Sequence, residues 1–227
     1  MIIDCISDLY GHYPKLEGGD LLIVAGDLTH RDTQIEYEDF HNWLHELKLY
    51  KKIVVIPGNH DGCFEREEWG PNFAGLQSGL VEYLCDSGTE FEYDKWIEGH
   101  ECTKTLSIWG SPWTKTFEGM NPKCKAFTVD TEEELAEKWK LIPDDVDILI
   151  THCPPYGRLD SVGEKGHIGC KDLWEKILGL RNLKLHVFGH VHECGGKKEF
   201  ISPPYFVNAS HVNERYEPVN KPIRVVI

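Results

Sequence analysis

The sequence predicts an α/β fold, a layered αββα sandwich in which two mixed β-sheets lie between outer helices. Three observations carry that expectation. The N-terminal part alternates short apolar runs with a helical pattern, the middle repeats the alternation, and the C-terminal part is strand-like with no helix between its runs.

In chain order, Ile2 to Ile6, Leu21 to Ala25 and Ile53 to Pro57 read as strands. Between the last two, Phe40, Trp43, Leu44 and Leu47 recur at i, i+3, i+4 and i+7, which puts all four on one helix face. Thr131 with Glu134 three residues on forms a capping-box signature for a helix running to about Leu141. Val146 to Ile150 follows as a buried strand, then a helix from about Lys171 to Leu178 and a strand from Lys184 to Phe188. The closing runs Lys198 to Ser202, Tyr205 to Val207 and Ile223 to Ile227 complete the β-rich end. Nothing resembles a linker, so residues 1–227 are expected to form a single domain whose site is assembled from distant segments.

Composition narrows the function classes. With 38 acidic against 24 basic residues the formal charge is −14, so the average surface repels a polyanion, and long DNA or RNA is a poor partner. A small anion held by local metal ions is not excluded, because a bound divalent pair dominates its surroundings. The eight cysteines show no C-x-x-C or zinc-knuckle spacing and several sit in apolar runs, as expected of reduced thiols in a cytoplasmic protein. The segment Met1-Ile2-Ile3-Asp4 lacks a basic leader region, and no apolar run approaches membrane-spanning length, so neither secretion nor a membrane is expected.

The chemistry lies where strands stop. Ile6 runs into Ser7-Asp8, Ala25 into Gly26-Asp27, Pro57 into Gly58-Asn59-His60-Asp61, Ile150 into Thr151-His152, and Phe188 into Gly189-His190-Val191-His192. Any one of these has a plainer role as a turn, cap or packing residue. Together they put two carboxylates, an amide oxygen and three imidazoles at the strand ends where α/β sites form. That donor set suits a pair of ions such as Mn, Fe, Zn or Co better than a thiolate zinc site.

The ordered series Asp8, Gly26-Asp27, Gly58-Asn59-His60-Asp61, His152 and Gly189-His190-x-His192 resembles the signature of the calcineurin-like metallophosphoesterase superfamily. Gly110-Ser111-Pro112-Trp113-Thr114, Thr151-His152-Cys153-Pro154-Pro155 and Val207-Asn208-Ala209-Ser210 are similar to its metallophosphoesterase-domain-containing subfamily, relatives of class III cyclic nucleotide phosphodiesterases. The resemblance implies one metal held by Asp8, Asp27 and His192 and a second held by Asp27, Asn59, His152 and His190, with Asp27 bridging. Mn is the first choice for both ions. It also implies that His60 is catalytic, placed at the leaving oxygen, and that the protein is a metal-dependent phosphodiesterase acting on a small phosphodiester or nucleotide substrate such as a cyclic nucleotide. The alternatives are a phosphomonoesterase on the same metal core and a low-turnover metal- or nucleotide-binding protein.

The chain leaves the pattern at one place. The family's first block reads Asp-x-His, and here it reads Asp8-Leu9-Tyr10. A neutral phenol is a poor ligand for a divalent ion, a tyrosinate can bind ferric iron, and His12 two residues further is the other group within reach, although it reads more simply as a loop histidine. Trp113 and Tyr156 read as packing residues rather than a base-binding wall, Arg158 as an exposed arginine, and His30 as an ordinary surface or packing histidine.

Overall fold

The computed structural model describes residues 1–66, 80–97, 100–200 and 202–227. Among them, one sheet has the strand order Ile223–Val226, Ile2–Ile6, Leu21–Ala25, Lys52–Ile56, Val81–Tyr83 and is parallel except at its Ile223–Val226 edge. The other runs Lys197–Glu199, Tyr205–Asn208, Leu185–Phe188, Ile148–Thr151, His100–Ser111, Ser87–Ile97, with a parallel centre and antiparallel edges. Both sheets are mixed.

Three buried clusters define the layers. Side chains alternate across each strand, so Ile3, Leu21, Ile23 and Val54 meet Ile148, Ile150, Leu185 and Val187 between the sheets. On the outer face of the first sheet, Leu22, Val24 and Val55 pack on Tyr37, Phe40 and Leu44 of helix Gln34–Glu46. On the outer face of the second, Leu149 and Phe188 pack with Leu135 and Trp139 of helix Glu132–Trp139 and with Leu173 and Ile177 of helix Lys171–Gly179. The order helix, sheet, sheet, helix is the αββα sandwich.

Differences from the sequence reading are mostly at element ends. Helix Gln34–Glu46 starts at an unanticipated capping box, Thr33 with Glu36, and stops short of Leu47, which caps its C-terminus. Helix Glu132–Trp139 has the expected Thr131–Glu134 box but ends before Leu141. The strand expected from Val146 begins at Ile148, and the one expected from Lys198 to Ser202 is Lys197–Glu199, with position 201 outside the described residues. The long hairpin of Ser87–Ile97 with His100–Ser111 was not expected. The outer part of His100–Ser111 is mostly exposed on both faces, so it lacks the apolar alternation that marks a half-buried strand.

Candidate metal centre

The parallel strands of both sheets deliver their C-terminal ends to one edge, and main-chain hydrogen bonds stitch those ends together. Ser7 N donates to Ala209 O (2.9 Å) and Asp8 N to Gly26 O (2.9 Å), while Gly189 N reaches His152 O (3.3 Å). The approach is tight enough to require glycine: a Cβ on Gly189 would overlap the side chains of Ser7 and Asp8. Asp8 (φ 52°), Asp27 (φ 53°) and His190 (φ 67°) all take the left-handed backbone conformation, which costs non-glycine residues roughly 1–3 kcal/mol each and persists where the surrounding structure holds it.

Asp8, Asp27 and His152 are each at most 1% exposed and offer donor atoms within 4.8 Å of one another. His152 Nδ1–H donates to Ala25 O (3.0 Å), which aims Nε2 at Asn59 Oδ1 (3.1 Å) and Asp27 Oδ1 (3.4 Å). Asn59 Nδ2 donates to Cys124 O (3.1 Å), so its oxygen faces inward. The His190 ring lies 5.0 Å from that of His152, and its main-chain N–H donates to the Asp8 carboxylate (3.1 Å). Across the cluster, His192 Nε2 lies 3.2 Å from Asp8 Oδ1.

These donors fit a bound cation. The Nε2 lone pair of His152 and the oxygens of Asp27 and Asn59 point at one another, a repulsive arrangement unless a proton or a metal ion lies among them. The electrostatics agree. Burial pushes the Asp27 carboxyl up, but the His152 and His60 imidazoles and the Tyr10 hydrogen bond outweigh it and hold it well below the usual carboxylate range. Burial lowers His152, yet the Asp27 carboxylate beside it carries it up to about 9; His190 is pushed down to about 3 by burial and by the neighbouring His152 imidazole, which outweigh the pull of Asp27 and Asp8.

The Asp8, Asp27 and His192 set differs in holding a further group. Tyr10 Oη donates to Asp27 Oδ2 (2.5 Å) and lies 3.0 Å from His192 Nε2. His12 is exposed and does not line the cleft.

His60 donates from Nδ1 to His30 O (3.1 Å), which leaves Nε2 for the cleft, and its main-chain N–H donates to Asp27 Oδ1 (3.0 Å). The cleft has a volume of about 890 Å³, with Asp27, Asn59, His60, His190 and His192 in its walls. The structure therefore brings together all seven residues singled out from the sequence: Asp8, Asp27, Asn59, His60, His152, His190 and His192. Sequence reasoning passed over His30 and Tyr216, which line the same cleft, and Thr114, whose Oγ1 lies 3.4 Å from His190 Nε2. His30 was foreshadowed by its place just after Asp27 on one loop, whereas Tyr216 had no motif around it. It also passed over the service of Asp61, which holds two site loops together through hydrogen bonds from Gly58, Leu28 and Thr29. Trp113 bonds Asp86 (2.6 Å) and Arg158 pairs with Glu199 (3.2 Å); neither lines the cleft, nor does Tyr156.

Residues 2–194 match the calcineurin-like phosphoesterase family. The chain belongs to that family. It is 36% identical to metallophosphoesterase domain-containing protein 1 of Homo sapiens over 233 residues, covering 96% of this chain and 68% of the human protein. A 3′,5′-cyclic-nucleotide phosphodiesterase of Nostoc sp. is 22% identical over 77% of this chain and 56% of its own length. A solved crystal structure superposes with a TM-score of 0.62 at 17% identity, covering 94% of this chain and 91% of the other, which shows the shared calcineurin-like fold. Calcineurin-like phosphoesterases are hydrolases of phosphoester bonds that normally use a dinuclear metal centre, and the Asp8, Asp27 and His152 cluster sits where this chain would hold one. Among the described residues no helix is long and apolar enough to cross a membrane.

Proposed function

We propose that this phosphoesterase hydrolyses a small phosphodiester, with a cyclic nucleotide as the leading candidate. One observation carries the reading: His60, with Nε2 left for the cleft, stands in the same cleft wall as Asp27 and Asn59, whose oxygens face the buried His152 Nε2 behind them. Asp27, Asn59, His152 and His190 would hold one ion and Asp8, Asp27 and His192 the other, with Mn ahead of Fe, Zn or Co. When bound, the ions supply Lewis-acid charge for the phosphoryl oxygens and water acidic enough to attack phosphorus. The Ala25 and Cys124 carbonyls fix the orientation of His152 and Asn59. His60 is steadied at Nδ1 by His30 O; with a proton also on Nε2 it hydrogen-bonds to the leaving oxygen, gives that proton up and returns to the Nδ1–H imidazole, the step that matters most when that oxygen is a ribose alkoxide.

Room and lining support a nucleotide-sized substrate. The cleft of about 890 Å³ extends over Leu135 and Met120 to the exposed side chains of Phe117 and Ile168, an apolar surface for a base. The resemblance to the Nostoc cyclic-nucleotide enzyme points the same way, and the net charge of −14 argues against long nucleic acid. The test is a substrate panel with Mn-reconstituted protein: bis-p-nitrophenyl phosphate, p-nitrophenyl phosphate, 2′,3′- and 3′,5′-cyclic nucleotides, and single-stranded DNA. Diesters and cyclic nucleotides should be turned over fastest, and exhaustive chelation should abolish the activity. Preference for the monoester, or turnover that survives chelation, overturns the proposal.

A further inference from the structure

We propose that Tyr10 plugs one of the two metal positions, so that the protein holds one divalent ion firmly through Asp27, Asn59, His152 and His190 and admits a second only at high metal concentration. The inference rests on the reading of the site as a dinuclear phosphoesterase centre and concerns what this chain has done to it. The Tyr10 hydroxyl spans Asp27 and His192, 2.5 Å from Oδ2 of the first and 3.0 Å from Nε2 of the second. His192 Nε2 in turn lies 3.2 Å from Asp8 Oδ1. Asp8, His192, Tyr10 and Asp27 thus form a continuous hydrogen-bonded chain through the very atoms that an ion shared by Asp8, Asp27 and His192 would need.

The plug is held in place. Tyr10 is only 7% exposed, and its ring makes edge contacts with His60 (4.9 Å between centroids), Tyr216 (4.9 Å), His192 (5.5 Å) and His30 (5.8 Å). Its main-chain N–H donates to Asp27 O (3.3 Å), tying the residue to the ligand-bearing loop. Swinging the phenol out would break these contacts together, so an ion entering that position must displace the hydroxyl locally and break its bond to Asp27. Among the described residues no hydroxyl is bonded between Asp27, Asn59 and His152, whose donor atoms face one another directly.

The test is calorimetric titration of chelator-stripped protein with Mn²⁺, with metal content measured after dialysis and circular dichroism to check folding. The wild type should retain one ion per chain, with a second binding at least about a hundredfold more weakly, the deficit expected from a missing ligand together with a hydrogen bond to be broken. Tyr10→His, which puts an imidazole in place of the phenol, should bring the second ion within about tenfold of the first. Tyr10→Phe keeps the ring and removes the hydroxyl; it should tighten the second ion by roughly ten- to a hundredfold, the equivalent of one charge-assisted hydrogen bond that no longer has to break. Weaker second-ion binding in Tyr10→Phe, above all with loss of a visible charge-transfer band, would make the tyrosine a ligand and overturn the plug. Unchanged binding in both variants, or two ions of equal affinity in the wild type, overturns it as well and leaves the phosphoesterase reading standing. Protein that binds no ion at any concentration overturns both.

Discussion

Asp61 is the most exacting test of how this site is built, because it carries the loops without facing the cleft. Its side chain is wholly buried, and its two oxygens accept from Gly58 N (2.8 Å), Leu28 N (3.1 Å) and Thr29 N (3.0 Å), as well as from Thr29 Oγ1 (3.0 Å). Those amides flank Asp27 and Asn59, so one carboxylate sets the spacing between two strand-end loops. Asp61→Ala leaves three buried N–H groups without an acceptor, at about 1–3 kcal/mol each. Part of that is returned, since burial and the Asp27 carboxylate push the Asp61 carboxyl up to about 7 and its removal relieves that repulsion. The net expectation is a loss of about 3–5 kcal/mol, a large share of the 5–15 kcal/mol that domains possess. Asp61→Asn keeps one oxygen for Leu28 and Thr29 but turns an amide N–H toward the Gly58 N–H, so it should cost only about 1–3 kcal/mol. Urea unfolding of chelator-stripped protein measures both without a metal contribution. A loss below about 1 kcal/mol for Asp61→Ala, or equal losses for the two variants, would refute the anchoring argument.

Three further outcomes are expected. Gly189→Ala forces a Cβ into Ser7 and Asp8, so it should destabilise by about 1–3 kcal/mol or more and reduce retained metal; thermal unfolding with metal analysis checks both effects. His60→Ala should keep its metal and lose on the order of 10²–10⁴ in rate, with a smaller loss on a p-nitrophenyl diester than on a cyclic nucleotide, because the better leaving group needs less protonation; equal losses would count against the assignment. Burial raises the Glu36 carboxyl, but the Thr33 hydroxyl and the amides of His30, Thr33 and Arg31 outweigh it and hold it below the usual glutamate value. Such a group adds stability above its unfolded pKa and loses it as pH falls through the folded one. Glu36→Gln should therefore cost about 1 kcal/mol near neutral pH, and less below about pH 4, in urea titrations at the two pH values.

Much of this protein is legible in its sequence because its signals are local. An apolar run ends and a metal-seeking side chain follows two residues later, in three of five cases after a glycine that lets the chain turn; that grammar picks out Asp8, Asp27, Asn59, His60, His152, His190 and His192. The helices announce themselves through apolar spacing and the Thr131 capping box. What stays hidden depends on neighbours distant in sequence. The Ser87–Ile97 hairpin arm pairs with His100–Ser111, and of its described side chains only Phe91 and Tyr93 reach the core between the sheets, too few apolar residues to mark a strand in the sequence. Tyr216 comes to the cleft on a loop without a motif, and Asp61 looks like one more candidate donor until Leu28 and Thr29 are seen bonded to it. The sequence by itself determined which side chains sit at the strand ends and that a phenol stands where an imidazole is usual. Only the tertiary structure decided that Asp8 and His192, 184 residues apart, come within 3.2 Å of each other and that the Tyr10 hydroxyl is bonded into the gap between His192 and Asp27. The reason is physical: the alternation of side chains along a strand is a property of the local backbone, whereas the direction of a hydroxyl is set by the packing of sheets and loops that meet only when the chain is folded.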